Sequence, residues 1–402
     1  MCAPAFAVAA ALAATLAAFP AHADEAERAA DTPPQIVVFG RGETRIGTAA
    51  AASEGSISGA DLLVRPLLKV SELLEAIPGM VAAQHSGSGK ANQYFLRGFN
   101  LDHGSDFTTY IDDVQMNLRS HGHAAPAAGP APDRRIARRL VPCLGQSARS
   151  RAAALGQGTA SQTLASPKLA AAWSPAPWAE LYLNWGEGFH SNDARGAVNA
   201  AARVPLLVRG RGHEAGLRLQ RGTATVTATW WALNVASELR FVGDSNAVEP
   251  SGASHRHGIE LVGFWRPASW LALDANFTAS HARYDNGDHI PNAFENAASA
   301  GVSFIRGGWE AALRMRHLGP SPLVEDNSLR DKGSTVFNLR AARKLGRIEL
   351  YADLLNVLNS RDKDIAYFYE SYIPAFDAAP VEGRLSRVVE PRTLRVGVKI
   401  GL

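Results

Sequence analysis

From Ser166 onward the chain alternates apolar and polar residues with a period of two. In Thr223 to Ala232 the even positions Ala224, Val226, Ala228, Trp230 and Ala232 are apolar, and Thr223, Thr225, Thr227 and Thr229 lie opposite. In Leu271 to Ala279 the odd positions are apolar, against Asp274, Asn276 and Thr278. Ile348, Leu350, Ala352 and Leu354 alternate with Arg347, Glu349, Tyr351 and Asp353; Leu394, Val396, Val398 and Ile400 alternate with Arg395, Gly397 and Lys399. Successive side chains of a strand point to opposite faces, so each run has one apolar and one polar face. In a soluble sandwich the apolar face is the core. In a transmembrane barrel it meets lipid and the polar face lines the lumen. Periodicity alone fits both, but several runs reach ~10 residues, the length that crosses a bilayer at a tilt. Trp173, Trp178, Tyr182, Trp265, Trp270, Tyr284, Trp309 and Tyr351 near strand ends suit an interfacial aromatic girdle. Turns alternate between tight (Arg306-Gly307-Gly308, Leu345-Gly346-Arg347) and long (Asp285 to Asn296, Gly319 to Ser334, Arg361 to Glu390). We count about ten to twelve strands, roughly half of a 22-stranded barrel.

A chain of 402 residues has room for two domains. Its net charge of +3 is too small to argue for nucleic acid. Residues 1–23 hold an apolar run, Ala5 to Phe19, and end in Ala21-His22-Ala23, the pattern of a secretory signal peptide. Cys2 would leave with it. Cys143 would remain as the single cysteine of the mature chain, which excludes a disulfide framework and a cysteine metal site.

Residues 24–40 form a linker. Asp24 to Pro34 is polar, and Gln35-Ile36-Val37-Val38-Phe39 is β-prone. That run reads either as the first strand of the next domain or as an extended segment that pairs with a partner's sheet edge. Ser58 to Ile77 reads as an amphipathic helix, with Val70, Leu73, Leu74 and Ile77 on one face and Pro78-Gly79 as its stop. Residues 125–165 are different: rich in Ala, Pro, Gly and Arg, without apolar alternation, and basic through Arg134, Arg135, Arg138, Arg139, Arg149 and Arg151. They read as a basic linker or as the scar of an internal deletion; the scar is preferred, because the alternating runs from Ser166 onward look like the second half of a barrel.

Several stretches together carry a family resemblance. Residues 70–114 run helix, Pro78-Gly79, a Gly/Ser turn, a strand ending in Arg97-Gly98-Phe99, and a strand ending in Asp112-Asp113. Gly186-Glu187-Gly188-Phe189-His190-Ser191-Asn192-Asp193 and Asp353-Leu354-Leu355-Asn356-Val357-Leu358-Asn359 occur later in the chain. The chain resembles an internally truncated TonB-dependent outer-membrane receptor of the siderophore type. The resemblance implies a mainly β fold: an N-terminal α+β plug domain (41–124), then the C-terminal part of a transmembrane β-barrel (166–402). It implies that Gln35 to Phe39 is the TonB box and that the last strand, Arg392 to Leu402, is read by the barrel assembly machinery. The implied partners are the TonB-ExbB-ExbD complex, outer-membrane lipid and a small-molecule or metal-chelate ligand, with no nucleic acid. Asp112-Asp113 stands where the family carries Asp-Gly.

No catalytic constellation is present: no G-x-S-x-G, P-loop or H-E-x-x-H. An enzyme is not expected, nor a resident cofactor. Asp102, His103, Asp106, Arg119, His121 and His123 fall on the apical side of the plug, and His190 in a loop; these are the candidate ligand contacts. His121-Gly122-His123 would place two imidazoles on one face if extended, which suits a metal chelate; solvated loop histidines are the alternative. Arg97 reads as structural, pairing inside the plug or against the barrel wall. The expected function is TonB-driven uptake of a scarce nutrient, an iron–siderophore or other metal chelate. A passive porin-like or adhesin barrel, or a degenerate receptor remnant, are the other readings.

Overall fold

In a computed structural model, the described residues are 46, 55–57, 65–66, 72, 74–75, 77, 79–83, 93–101, 109–111, 114–115, 136–138, 146–152, 158–191, 205–242, 247–372 and 379–401. The signal segment, Gln35 to Phe39, Pro78, and the Asp112-Asp113 pair lie outside them.

The dominant element is one antiparallel sheet of eleven strands. Its members in spatial order are β4 (Lys168–Ala176), β5 (Ala179–Ser191), β6 (Leu207–Arg221), β7 (Ala224–Val235), β8 (Ser254–Ala268), β9 (Leu271–Tyr284), β10 (Asn296–Arg306), β11 (Trp309–Leu318), β12 (Ser334–Leu345), β13 (Ile348–Leu355) and β16 (Thr393–Ile400). The count and the strand positions agree with the alternation in the sequence. Strand order follows chain order, as in an up-and-down barrel wall. Between β13 and β16 a hairpin of β14 (Lys363–Ser371) and β15 (Val381–Val388) occupies the last long loop.

Burial shows which way the wall faces. Glu180, Glu214, Arg218, Thr229, Arg256, Glu260, Asp274, Ser303, Arg314, Arg340 and Asp353 are buried, while Leu181, Leu183, Trp230, Val302, Leu313, Leu339, Ile348, Leu350, Leu394, Val396 and Val398 are exposed. A soluble sandwich would bury the second set and expose the first. The inverted pattern is that of a wall whose apolar side meets lipid. The buried polar side is paired: Arg218 with Glu180, Arg314 with Asp274, and Arg340 with Asp353. Trp178, Trp270 and Trp309 all lie at the end where the tight turns are, with Arg306 over the Trp270 ring and Arg343 over the Trp309 ring. That end therefore has an aromatic girdle with cations reaching toward water. Gly307, Gly308 and Gly346 make its turns with positive φ.

The plug contributes a small sheet of β1 (Met80–Ala83), β2 (Gln93–Leu96) and β3 (Phe99–Asn100). Its alternation divides between two cores. Met80, Ala82, Tyr94 and Leu96 pack with Leu74, Ile77 and Leu101 inside the plug. Val81, Ala83 and Phe95 pack outward on Phe294, Leu318 and Ile365 of the barrel part. In the predicted helix, Glu72, Leu74 and Glu75 adopt a 3-10 turn.

Residues 125–165 are not irregular throughout, which corrects the sequence reading. Ile136–Arg138 pairs with Gly55–Ile57 and with Thr109–Ile111. Gln146–Ala152 pairs with Gly158–Leu164. Ser, Ala and Arg carry these strands, so backbone pairing forms without an apolar face and leaves no periodic signal.

Candidate functional site

The site is the seat of the plug against the lumen wall. Gly79 turns the chain into β1 with φ 70°, and a Cβ there would stand 2.8 Å from Thr278 Oγ1 on β9. The turn between β2 and β3 is Arg97-Gly98, both with positive φ (53° and 69°). Arg97 is thus a non-glycine residue held in the left-handed region, a conformation that needs support from its surroundings.

The support is a buried ion triad. Arg97 Nε and Nη2 donate to the two carboxylate oxygens of Glu260 at 2.7 and 2.9 Å, and Nη1 donates to Glu214 at 2.8 Å. The side chains of Arg97, Glu214 and Glu260 are 12%, 9% and 4% exposed. Burial works against the Arg97 charge, but Glu260 and then Glu214 outweigh it and hold the guanidinium above its ordinary pKa. The same guanidinium lies 4.9 Å from the Trp231 ring centre. In return Arg256, from the wall, lies over Phe99 of the plug at 5.0 Å.

A second triad crosses the boundary in the other direction. Arg316 on β11 donates to Glu75 of the plug at 2.9 Å and to Asp364 of β14 at 2.9 Å. Glu75 also accepts from the Ala82 amide at 3.0 Å. Tyr367 on β14 donates to Gln93 on β2, and Phe95 meets Phe294 edge-on at 5.5 Å.

Burial raises the Glu75 carboxyl above its ordinary value of 4.5, with Arg316 and the Ala82 amide opposing. The folded chain then binds that proton more readily than the unfolded one, so stability falls as pH rises from 4.5 through the folded-state value. Glu75→Gln retains an acceptor for Ala82 and leaves Asp364 to pair Arg316. It is expected to flatten that slope, read as the urea midpoint at about pH 5 and about pH 8; an unchanged slope would refute the assignment.

Of the residues singled out from sequence, Gly79, Arg97, Gly98 and Phe99 meet at this seat. His190 lies in β5 opposite Val208. Asp102, His103, Asp106, Arg119, His121 and His123 lie outside the described residues, and no metal-type cluster occurs among the described ones. The wall partners Glu214, Glu260, Arg316, Asp364 and Tyr367 were missed. For the first three the available signal was charge on the lumen-facing register of strands that are otherwise apolar on one face.

A plug strand pair locked inside a polar-lined, apolar-backed wall has its counterpart in known sequences. The family model described as TonB dependent receptor-like, beta-barrel matches residues 145–357, and the TonB-dependent Receptor Plug Domain model matches residues 48–134. The chain belongs to the TonB-dependent receptor family. No curated protein matches it. Among solved structures, the ferric yersiniabactin uptake receptor FyuA from Yersinia pestis is 17% identical, with a TM-score of 0.50 over 61% of this chain and 38% of FyuA. The copper transporter OprC is 17% identical (TM-score 0.48; 61% of this chain, 40% of OprC). The ferric citrate transporter FecA is 18% identical (TM-score 0.46; 60% and 39%). The match thus spans well under half the length of each of these receptors. At such identities the likeness is one of fold alone.

Proposed function

We propose that this receptor is an active importer of a scarce nutrient in the bacterial outer membrane, with an iron–siderophore or other metal chelate as cargo. The observation that carries the reading is the seat itself. A passive porin has no use for a domain pinned into its lumen by Arg97 and Arg316, whereas a gated importer needs a plug that is held firmly yet by few contacts. FyuA, of like fold, is named for ferric yersiniabactin uptake. In this reading residues 1–23 are a signal peptide, and Gln35 to Phe39 is the TonB box on which TonB, energised by ExbB-ExbD, pulls. Asp102, His103, Asp106, Arg119, His121, His123 and His190 are the ligand contacts. The barrel assembly machinery inserts the wall through its final strand. The unpaired wall edges favour a second reading, a receptor remnant that no longer transports.

Uptake of radiolabelled ferric chelates by cells carrying the full chain tests this. Removing Gln35 to Phe39 is expected to abolish uptake while leaving the chain in the membrane. Uptake that survives the deletion would mean a passive pore, and absence of uptake by the intact chain would mean a remnant.

A further inference from the structure

The wall does not close. Among the described residues β4 pairs only with β5, and β16 only with β13. Residues Lys168 to Pro175 of β4 are exposed on both faces, and the lipid-facing band runs unbroken to both margins through Leu169, Trp173, Val396 and Val398. In hydrocarbon each unpaired backbone group costs several kcal/mol, so two bare edges of nine and eight residues are untenable in a bilayer.

Strand parity then restricts what can cover them. Eleven strands, each antiparallel to the next, leave β4 and β16 running in the same direction. Joining them directly would make a parallel seam, and it would draw the wall inward where the plug is seated on β6, β8 and β11. A second copy standing upright in the same membrane fares no better, because β16 of one copy would meet β4 of the other in parallel at both seams. Antiparallel closure requires an odd number of added strands, the first and last running opposite to both edges. Bacterial outer-membrane barrels are antiparallel and even-numbered. A 22-stranded ring, the size that encloses a plug, would need about eleven more strands.

We propose that β4 and β16 are docking edges for another polypeptide: an odd-numbered run of antiparallel, outward-apolar membrane strands that completes the wall in trans. The inference rests on the membrane-wall reading but not on transport. The test uses the full chain in membranes of the cells that encode it. A photo-crosslinking residue, p-benzoylphenylalanine, is placed in turn at Leu169, Ala171 and Trp173 on β4, at Leu394, Val396 and Val398 on β16, and at interior Ala300 as control. Each labelled chain is first checked for membrane insertion. The expected result is an adduct from both edges, absent at Ala300, to strands of a different polypeptide. Moving the probe two residues along the edge should shift the crosslinked partner residue by two in the opposite direction, the mark of antiparallel register. Adducts between β4 and β16 of one chain, or between copies with shifts in the same direction, would overturn the proposal. So would edges that yield no protein adduct in an inserted chain. A chain absent from the membrane would overturn the wall reading and this proposal together, whereas an inserted chain that imports nothing would leave only the transport reading refuted.

Discussion

Arg97→Ala is expected to release the plug. The substitution leaves Glu214 and Glu260, both nearly inaccessible to solvent, facing each other with no cation between them. Removing one partner of a buried ion pair costs about 3–5 kcal/mol, mostly the penalty of the stranded charge. That is about two to four orders of magnitude in the population of undocked plug. Amide hydrogen exchange across Met80–Ala83 and Gln93–Leu96 should speed up accordingly, while exchange in the wall interior, such as Trp309–Leu318, should not. Two companion variants separate charge from packing. Arg97→Lys keeps the charge but cannot form the two-pronged contact with Glu260, so it should fall between wild type and alanine. Adding Glu214→Gln and Glu260→Gln to Arg97→Ala should recover part of the loss. If the triple variant is no better docked than Arg97→Ala alone, the triad is not what holds the plug.

The wall was largely legible in the sequence because its signal is repetitive. Every strand that alternates a Val, Leu or Trp with a Thr, Asp or Arg states its own two faces, and the turns Gly307-Gly308 and Gly346 mark where strands reverse. The direction of those faces was not legible: the same alternation builds a sandwich, and only the exposure of Leu313 and Val398 beside the burial of Glu260 and Arg314 resolves it. The plug seat was half legible. Arg97 stood out through its motif, but Glu214 and Glu260 lie 117 and 163 residues away along the chain, and no local pattern joins residues so distant. The strands at Ile136–Arg138 and Gln146–Ala152 were illegible for the opposite reason: their pairing rests on backbone groups and small or charged side chains, so no side-chain period records them.

Leu313→Arg should cost the wall about 2–4 kcal/mol, although Leu313 is exposed. In a water-soluble sheet the same change at a residue 45% exposed would fall within about 0.5 kcal/mol of zero. The difference comes from the solvent. Leu313 sits mid-strand on β11, on the face shared with Val302 and Leu339, so a bilayer there presents hydrocarbon that cannot solvate a guanidinium. Depth along one strand supplies an internal control. Trp309 opens β11 at the tight-turn end, beneath the Arg343 guanidinium, so Trp309→Arg places its charge at the interface, where the penalty drops to about 0–1 kcal/mol. Urea midpoints of the two variants, refolded into lipid vesicles, give the comparison directly. A large loss at Leu313 with a small one at Trp309 fixes the apolar face in lipid. Equal, negligible losses would mean that water covers both, and the membrane wall, with the docking edges inferred from it, would have to be given up.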